Sequence, residues 1–397
     1  MKLTPLENIP CLSEKSLCTI LQSMIIEHSG KYNKNAYSWL PIASFSQKTW
    51  ADYSYSSSDI DAITGIFNAM FSLQEPSPAP KEPFATFIQQ AFATWARGSR
   101  TVTFFTSGST GKPKPCTHPE EHLRQELMGI IPLIQNRKSA LVTVPLYHLY
   151  GFTFGLLLPQ ALGIEIRTEA PLPTAIVRQI QDGDLVVGIP LLWSHIAELA
   201  SRTPCDAFLL SGTAPLPQAV FTTMLDTGYQ MLEFFGSSEM GVMCCRTQPH
   251  NAFSLLPQFT RLTGEKAHCI QRTLPDGTTQ DFPLQDTIEW LDERHLEPRG
   301  RKDYAVQVGG VNVSPAHVIK VLMTHPHIAA CAVRLMRPEE GHRLKAFIVP
   351  QKNCDSEEIR KTLRAFVKQN LTEEEQPARF DFGEVLPLNL MGKSTDW

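Results

Sequence analysis

The chain has 397 residues, enough to bury a large core and to divide into two domains. A hydrophobic fraction of 42%, a charged fraction of 19% and a formal net charge of −4 are those of a soluble globular protein, and they exclude the basic surface that nucleic-acid binding needs. The nine cysteines are scattered without a Cys-x-x-Cys pair, which favours the reduced thiols of a cytoplasmic protein over disulfides or zinc.

The first residues lack the basic-then-apolar order of a signal peptide, and no apolar run is long enough to span a bilayer; residues 151–164 come nearest, interrupted by Pro159 and Gln160. Leu17, Ile20, Leu21, Met24 and Ile25 recur at helical spacing and predict a helix ended by Gly30. Ile60, Ile63, Phe67, Met70 and Phe71 repeat the pattern. After a proline-rich connector at 74–83, Phe87, Ile88, Phe92 and Trp95 share one face of a third helix. Core packing accounts for all these aromatic and aliphatic side chains.

An apolar strand at 101–105 then runs into Thr106, Ser107, Gly108, Ser109, Thr110, Gly111, Lys112, Pro113 and Lys114. Glycines let backbone approach an oxyanion, hydroxyls and N–H groups donate to it, and lysines balance its charge, so the segment reads as a phosphate-holding loop. Only two residues separate Gly108 from Gly111 and Lys112 precedes a proline, so the spacing is not that of nucleoside triphosphatases. Beyond it, His118 and His122 stand four apart. A helix start explains them better than a metal site, with Thr117 and Glu120 as a capping box and Pro119 in the first turn.

From residue 100 strands alternate with helices. Strands are predicted at 101–105, 140–144, 164–167, 185–189, 208–210 and 230–235, and helices at 121–131, 175–181, 191–199 and 217–225. The alternation predicts an α/β fold with a mostly parallel sheet covered by helices on both faces. Such sheets bind ligands outside the carboxyl ends of their strands. Polar, glycine-bearing segments fall there repeatedly: the 106–114 loop, residues 145–151 (PLYHLYG), 211–215 (SGTAP) and 236–241 (GSSEMG). Four loops after four strands are expected to line one cleft. After residue 300 the pattern changes. Ser314 and Pro315 predict an N-cap and first turn, strands follow at 330–335 and 344–349, and a helix runs from 356 to about 368. This is a small α+β unit, giving expected domains of 1–300 and 301–397.

From about residue 101 to the end, roughly three quarters of the chain, these segments in order resemble the adenylate-forming superfamily of acyl-CoA synthetases, aryl-acid ligases, peptide-synthetase adenylation domains and luciferases. The loop Thr106–Lys114 resembles the family's phosphate loop. The PLYHLYG segment resembles the wall of the acyl pocket, with His148, Tyr150, Gly151 and Phe234 as expected acyl contacts. Ser211, Gly212, Thr213, Ala214 and Pro215 are similar to the adenine-binding stretch. Phe235, Gly236, Ser237, Ser238 and Glu239 are similar to the loop whose glutamate serves Mg²⁺. Asp286 and Arg301 resemble the ribose-binding pair, Asp303 the hinge of a mobile C-terminal domain, Gly309 and Gly310 the thiol channel, and Lys393, in PLNLMGK, the catalytic lysine. Ser238 stands where the family usually has threonine and Gln285 where it has glycine before the aspartate. The chain is shorter than standard members.

The resemblance implies a two-step reaction. Attack of a carboxylate oxygen on the α-phosphorus of ATP gives an acyl-AMP with loss of pyrophosphate, and a thiol of CoA or of a carrier protein's phosphopantetheine then takes the acyl group. An anion must approach a polyanion, so positioning and charge neutralisation are the means of catalysis. Phosphates would be held by the 106–114 loop, Mg²⁺ by Glu239 and the developing charge by Lys393. A hydroxylated aromatic acid of the benzoate or cinnamate type is the first expectation for the substrate, because Tyr150 and Phe234 can stack on a ring. A linear acyl chain, and a non-catalytic nucleotide-binding relative, are the alternatives.

Overall fold

The computed structural model describes residues 3–32, 39–53, 55–74, 79, 81–106, 114–134, 136–199, 205–302, 305–337, 339–351, 356–387 and 397. They form two compact units: one of Met1–Phe105, Pro115–Leu284 and Glu289–Glu297, the other built on Pro298–Trp397 with Gln285–Ile288.

In the first unit, β3 (Ser139–Val142), β4 (Glu165–Thr168), β5 (Asp184–Gly188), β6 (Phe208–Ser211) and β7 (Gln230–Ser237) pair in parallel in the order β7-β6-β5-β3-β4. The sheet continues antiparallel from β7 through β8 (Gly241–Arg246) and β9 (Phe253–Leu255) to β14 (His295–Arg301), with β13 (Asp286–Trp290) at the edge. Leu141, Val186, Leu209 and Met231 lie side by side across four strands. They bury against Ile176, Leu192, Trp193, Phe221 and Met224 from the helices Pro173–Gln179, Pro190–Glu198 and Gln218–Asp226. The central strands are apolar along their length because both faces are covered, as parallel strands require.

A helix not anticipated from the pattern covers residues 149–162. Its middle, Phe152–Leu157, is π-helical and precedes Pro159, which has no N–H to give to the helix ladder. A Cβ on Gly155 would meet Val142 and Leu146 side chains at 2.7 Å, so the glycine lets the helix lie close on β3.

Most expected elements stand within a residue or two of their sequence limits; four expectations are corrected. The first helix, Glu14–Tyr32, continues past Gly30, since one glycine costs a long packed helix only about 1 kcal/mol. The strand expected to open the main sheet, β1 (Thr101–Thr106), pairs instead with β2 (Lys114–Pro119) in a sheet of two. Of the four strands expected to carry the cleft's loops on one sheet, three, β3, β6 and β7, stand in it; residues 107–113, which follow β1, lie outside the described residues. The capping box at Thr117 is absent: Pro119 caps the helix Glu120–Ile130 without a side-chain bond. The Thr117 hydroxyl meets that of Thr103 at 2.9 Å, and the buried Glu120 carboxylate accepts from the Leu12 N–H and from Arg100 at 2.6 Å.

In the second unit, β17 (Ile328–Leu335) and β18 (Leu344–Pro350) are antiparallel and β19 (Arg379–Phe382) joins β18 in parallel. The helices Pro315–Leu322 and Ser356–Asn370 close the core through Val318, Leu322, Ile359, Leu363 and Val367. Ser314 caps the first, accepting from the His317 N–H at 3.3 Å. A hairpin of β15 (Val306–Val308) and β16 (Val311–Val313) turns at Gly309 and Gly310, with φ of 59° and 86°. Two consecutive left-handed residues make the tight turn that matches strand twist, and glycine takes that conformation without strain.

Leu209 sits fully buried in the middle of the central strand row. Leu209→Ala is expected to lower unfolding free energy by about 2–5 kcal/mol in urea titration at unchanged m-value.

Candidate active site

The segments after β3 and β6 and the strand β7 meet around two aromatic contacts. Tyr150, after β3, donates its hydroxyl to the Gly188 carbonyl at the end of β5 at 3.0 Å. Gly212, after β6, lies flat against that ring: a Cβ there would stand 2.5 Å from Tyr150 Cε2. Tyr150 also packs on Phe154, whose ring stacks on Phe234 of β7 at 4.1 Å and 14°. Three of the expected acyl and adenine contacts, Tyr150, Gly212 and Phe234, thus belong to one packed group. At the end of β5 the Trp193 ring packs on Gly188, 2.5 Å from where a Cβ would be. Gly151 presses on the Pro145 carbonyl, and His148 is exposed beside Tyr147 at a ring distance of 4.6 Å.

The SGTAP loop departs from a strand that ends at buried Ser211. Its hydroxyl has no hydrogen-bond partner among the described residues, and neither has the buried hydroxyl of Ser237 at the end of β7. A buried hydroxyl left open costs roughly 1–3 kcal/mol unless a water or a ligand meets it. Two residues on, Thr213 adopts φ 75°, a left-handed conformation that a β-branched residue rarely takes and that is concentrated at functional sites. The loop's far end is pinned by buried Glu233, which accepts from the Leu216 N–H at 2.8 Å and pairs with Arg246 at 2.8 Å. Burial pushes the Glu233 carboxyl up, opposed by Arg246. Ala214 and Pro215 complete the turn at the surface side.

Glu239 stands half-buried in the three-residue turn between β7 and β8, where Ser237 pairs with Gly241. Gly241 has φ 79°, the left-handed position that closes a three-residue hairpin. Gly236 permits the close return of the chain, since a Cβ would lie 2.1 Å from the Gly241 carbonyl oxygen. Phe235 precedes the bulge and leans on Phe253 at 6.1 Å. Behind this turn lies a buried polar cluster that sequence reasoning missed. His118 Nε2 donates to the Ser238 carbonyl at 2.7 Å. Arg272, 1% exposed, donates to the carbonyls of Met240 at 2.9 Å and His122 at 2.5 Å and to the Gln125 side chain at 3.1 Å. Fully buried Glu126 accepts from the Val242 N–H at 3.2 Å and pairs with Arg272 at 3.5 Å. Burial pushes the Glu126 carboxyl up to about 7, against the pull of Arg272. A signal for it existed: Glu126 occupies the core face of its helix with Leu123, Leu127 and Ile130.

In the second unit Asp286 opens β13 and Arg301 closes β14, and the Lys302 N–H donates to the Gln285 carbonyl at 3.0 Å, so the two expected ribose contacts lie on adjoining backbone. Thr106 ends β1 and exposed Lys114 begins β2. Ser107, Gly108, Ser109, Thr110, Gly111, Lys112, Asp303 and Lys393 lie outside the described residues.

The AMP-binding enzyme family model matches residues 62–266, and its C-terminal domain model matches 320–393. The chain belongs to the AMP-binding enzyme family. It is 37% identical over 294 residues to a 4-coumarate–CoA ligase of Halorhodospira halophila, covering 74% of each protein. It is 37% identical over 321 residues to one of Rhodobacter capsulatus, covering 78% of this chain and 79% of that protein. Among solved structures, an o-succinylbenzoate CoA synthetase of Bacillus subtilis shares the fold with a TM-score of 0.64 at 15% identity, over 96% of this chain and 91% of that one. The protein is an AMP-forming acid–thiol ligase: it activates a carboxylic acid as its acyl-AMP and passes the acyl group to a thiol. No helix among the described residues is long and apolar enough to cross a membrane, and the eight described cysteines are all free thiols.

Burial holds the His118 imidazole down at about 4 from 6.5; Arg272 and His122 push the same way, while the Ser238 carbonyl and Glu239 oppose them. The neutral ring is therefore the folded form. Below pH 6.5 the unfolded chain takes up a proton that the folded one refuses, so this residue makes stability fall as pH drops from 6.5 towards 4 and has no effect above that window. His118→Gln keeps a donor without a titration. Thermal midpoints measured from pH 7 to pH 4 are expected to fall less steeply in that variant than in the native protein.

Proposed function

We propose that the enzyme uses ATP and Mg²⁺ to adenylate an aryl acid of the 4-coumarate type and transfers it to CoA in a cytoplasmic, reducing setting. Relatives 36–37% identical that bear the name 4-coumarate–CoA ligase support the acid and the acceptor. The observation that carries the nucleotide part is the pair of buried, open hydroxyls of Ser211 and Ser237, at the ends of the adjacent strands β6 and β7, with Thr213 in a left-handed conformation two residues after Ser211.

In this reading Ser211, Gly212, Thr213, Ala214 and Pro215 receive the adenine, and Phe235, Gly236, Ser237 and Ser238 line its approach to the phosphates. The loop Thr106–Lys114 holds the β- and γ-phosphates with backbone N–H groups, hydroxyls and the charges of Lys112 and Lys114. Asp286 and Arg301 fix the ribose. A half-buried carboxylate on a rigid turn fits a hard cation that prefers oxygen ligands, so Glu239 is assigned the Mg²⁺ contact. When bound there, the cation neutralises phosphate charge.

The acid lies with its ring towards Tyr150, Gly151 and Phe234 and its polar end towards His148. Tyr150 is tethered to Gly188 and Phe234 to Phe154, so the wall is preorganised and flat, which favours an aromatic acid over a flexible chain. One carboxylate oxygen attacks the α-phosphorus, the Pα–O bond to pyrophosphate breaks, and Lys393 stabilises the charge that develops between them. The thiol then loses its proton, its sulfur attacks the acyl carbon and AMP leaves. The domain division at 300/301, turning at Asp303, is assigned the exchange between the two steps, with Gly309 and Gly310 admitting the thiol.

Two results test this. Thioester formation is expected with 4-coumarate and related hydroxycinnamates and CoA, at kcat/KM at least ten-fold above straight-chain acids of equal length. Preference for an alkyl acid, or for a phosphopantetheinylated carrier protein over CoA, would overturn the substrate assignment. Lys393→Ala is expected to suppress acyl-AMP formation by 100-fold or more, about the scale of one lost charge-stabilising contact, while supplied acyl-AMP is still converted to thioester. Equal loss of both steps would remove Lys393 from its role.

A further inference from the structure

The turn that carries Glu239 is held at three backbone points by side chains from behind it. His118 grips the Ser238 carbonyl at 2.7 Å, Arg272 the Met240 carbonyl at 2.9 Å and Glu126 the Val242 N–H at 3.2 Å. The grips flank Glu239 on both sides, one residue before it, one after and one at the start of β8. None comes from a neighbouring residue: they reach the turn from β2, from the helix Glu120–Ile130 and from β11 (Cys269–Thr273). Glu126 and Arg272 are themselves coupled at 3.5 Å, and Arg272 is further anchored to Gln125 and to the His122 carbonyl. Gly241 completes the arrangement, because any Cβ there would fall 1.8 Å from Glu126 Oε1.

Such an arrangement is expensive to bury and unnecessary for stability. A buried ion pair recovers its desolvation cost only with excellent geometry, and replacement by well-packed apolar side chains is often neutral or stabilising. Core packing alone would be served better by leucine and methionine at these two positions. What a charged, hydrogen-bonded pair adds is a fixed position for the main chain it grips. A hairpin turn of three residues has few contacts of its own, whereas a Mg²⁺ ligand must keep its oxygen at a short and narrowly defined distance from the metal.

We propose that His118, Glu126 and Arg272 are positioning residues that hold the Ser238–Val242 backbone so that the Glu239 carboxylate is set for the metal–nucleotide complex. The three residues act on the turn and not on substrate. The inference rests on the assignment of Glu239 to Mg²⁺ made above.

The test separates nucleotide affinity with the metal from affinity without it. Binding of α,β-methylene-ATP, which cannot transfer its adenylyl group, is measured by calorimetry with Mg²⁺ and with EDTA for the native protein, for Glu239→Gln, for His118→Leu, which removes the donor to the Ser238 carbonyl, and for the double variant Glu126→Leu with Arg272→Met. The double variant removes both charges together, so it avoids the unpaired buried charge that either single change would leave. The native protein is expected to bind the analogue more tightly with Mg²⁺. That advantage is expected to shrink about ten-fold in the double variant and several-fold in His118→Leu, with binding in EDTA unchanged. A general loosening of the fold would weaken both measurements alike and would overturn the proposal. So would an undiminished Mg²⁺ advantage in the double variant while Glu239→Gln loses it. If Glu239→Gln itself keeps the full advantage, the metal assignment fails instead. Should the double variant not fold, His118→Leu decides alone, an unchanged Mg²⁺ advantage counting against the clamp.

Discussion

Central parallel strands buried on both faces leave their polar chemistry little room except at their ends. Side chains along β5 and β6 are sealed by helices, so hydroxyls, carboxylates and tight glycine turns gather where those strands end. The packed group of Tyr150, Gly212, Phe154 and Phe234 joins three of these ends into a single surface. Each of these segments starts from a strand whose register is fixed by its neighbours.

The sheet changes character at β7. Up to that strand every neighbour is parallel; beyond it the chain doubles back through the Glu239 turn and pairs antiparallel. A short hairpin at this change places a carboxylate at the strand end without a crossover helix intervening. It also creates local cost. Thr213 sits in a left-handed conformation, Ser211 and Ser237 keep buried hydroxyls open, and Glu126 and Arg272 are charged in the interior. Each such feature is worth on the order of 1–3 kcal/mol against folding, and the apolar rows through Leu141, Val186, Leu209 and Met231 are what offsets them.

The parts legible in the amino-acid order were those with a period or a backbone requirement. The apolar runs of β3, β5, β6 and β7 and the helices between them show the alternation of a parallel sheet, and SGTAP and GSSEMG declare their turns through glycine. Where the structure departs, long-range partners decided the outcome. Apolar β1 looked like any core strand, yet it pairs with β2 across the phosphate-loop segment, a choice no local pattern contains. Glu120 suited a capping box three residues after Thr117, but Leu12 and Arg100, 108 and 20 positions away in sequence, take its carboxylate. The 149–162 helix was masked by two glycines and a proline whose reasons lie in contacts with β3 and in the π-helical turn. Arg272 shares the inward face of its strand with Ile270, so an arginine in an inward position was its only trace.

Acyl-adenylate formation is the chemistry on which every assigned role depends, and its reversibility gives a direct measurement. Purified protein with Mg²⁺, ATP and labelled pyrophosphate should return label to ATP only when a hydroxycinnamate is added, and without any thiol present. Label that returns independently of the acid, or release of ADP in place of AMP, would contradict the account, because the phosphoryl chemistry would then not pass through an acyl-AMP held at these loops.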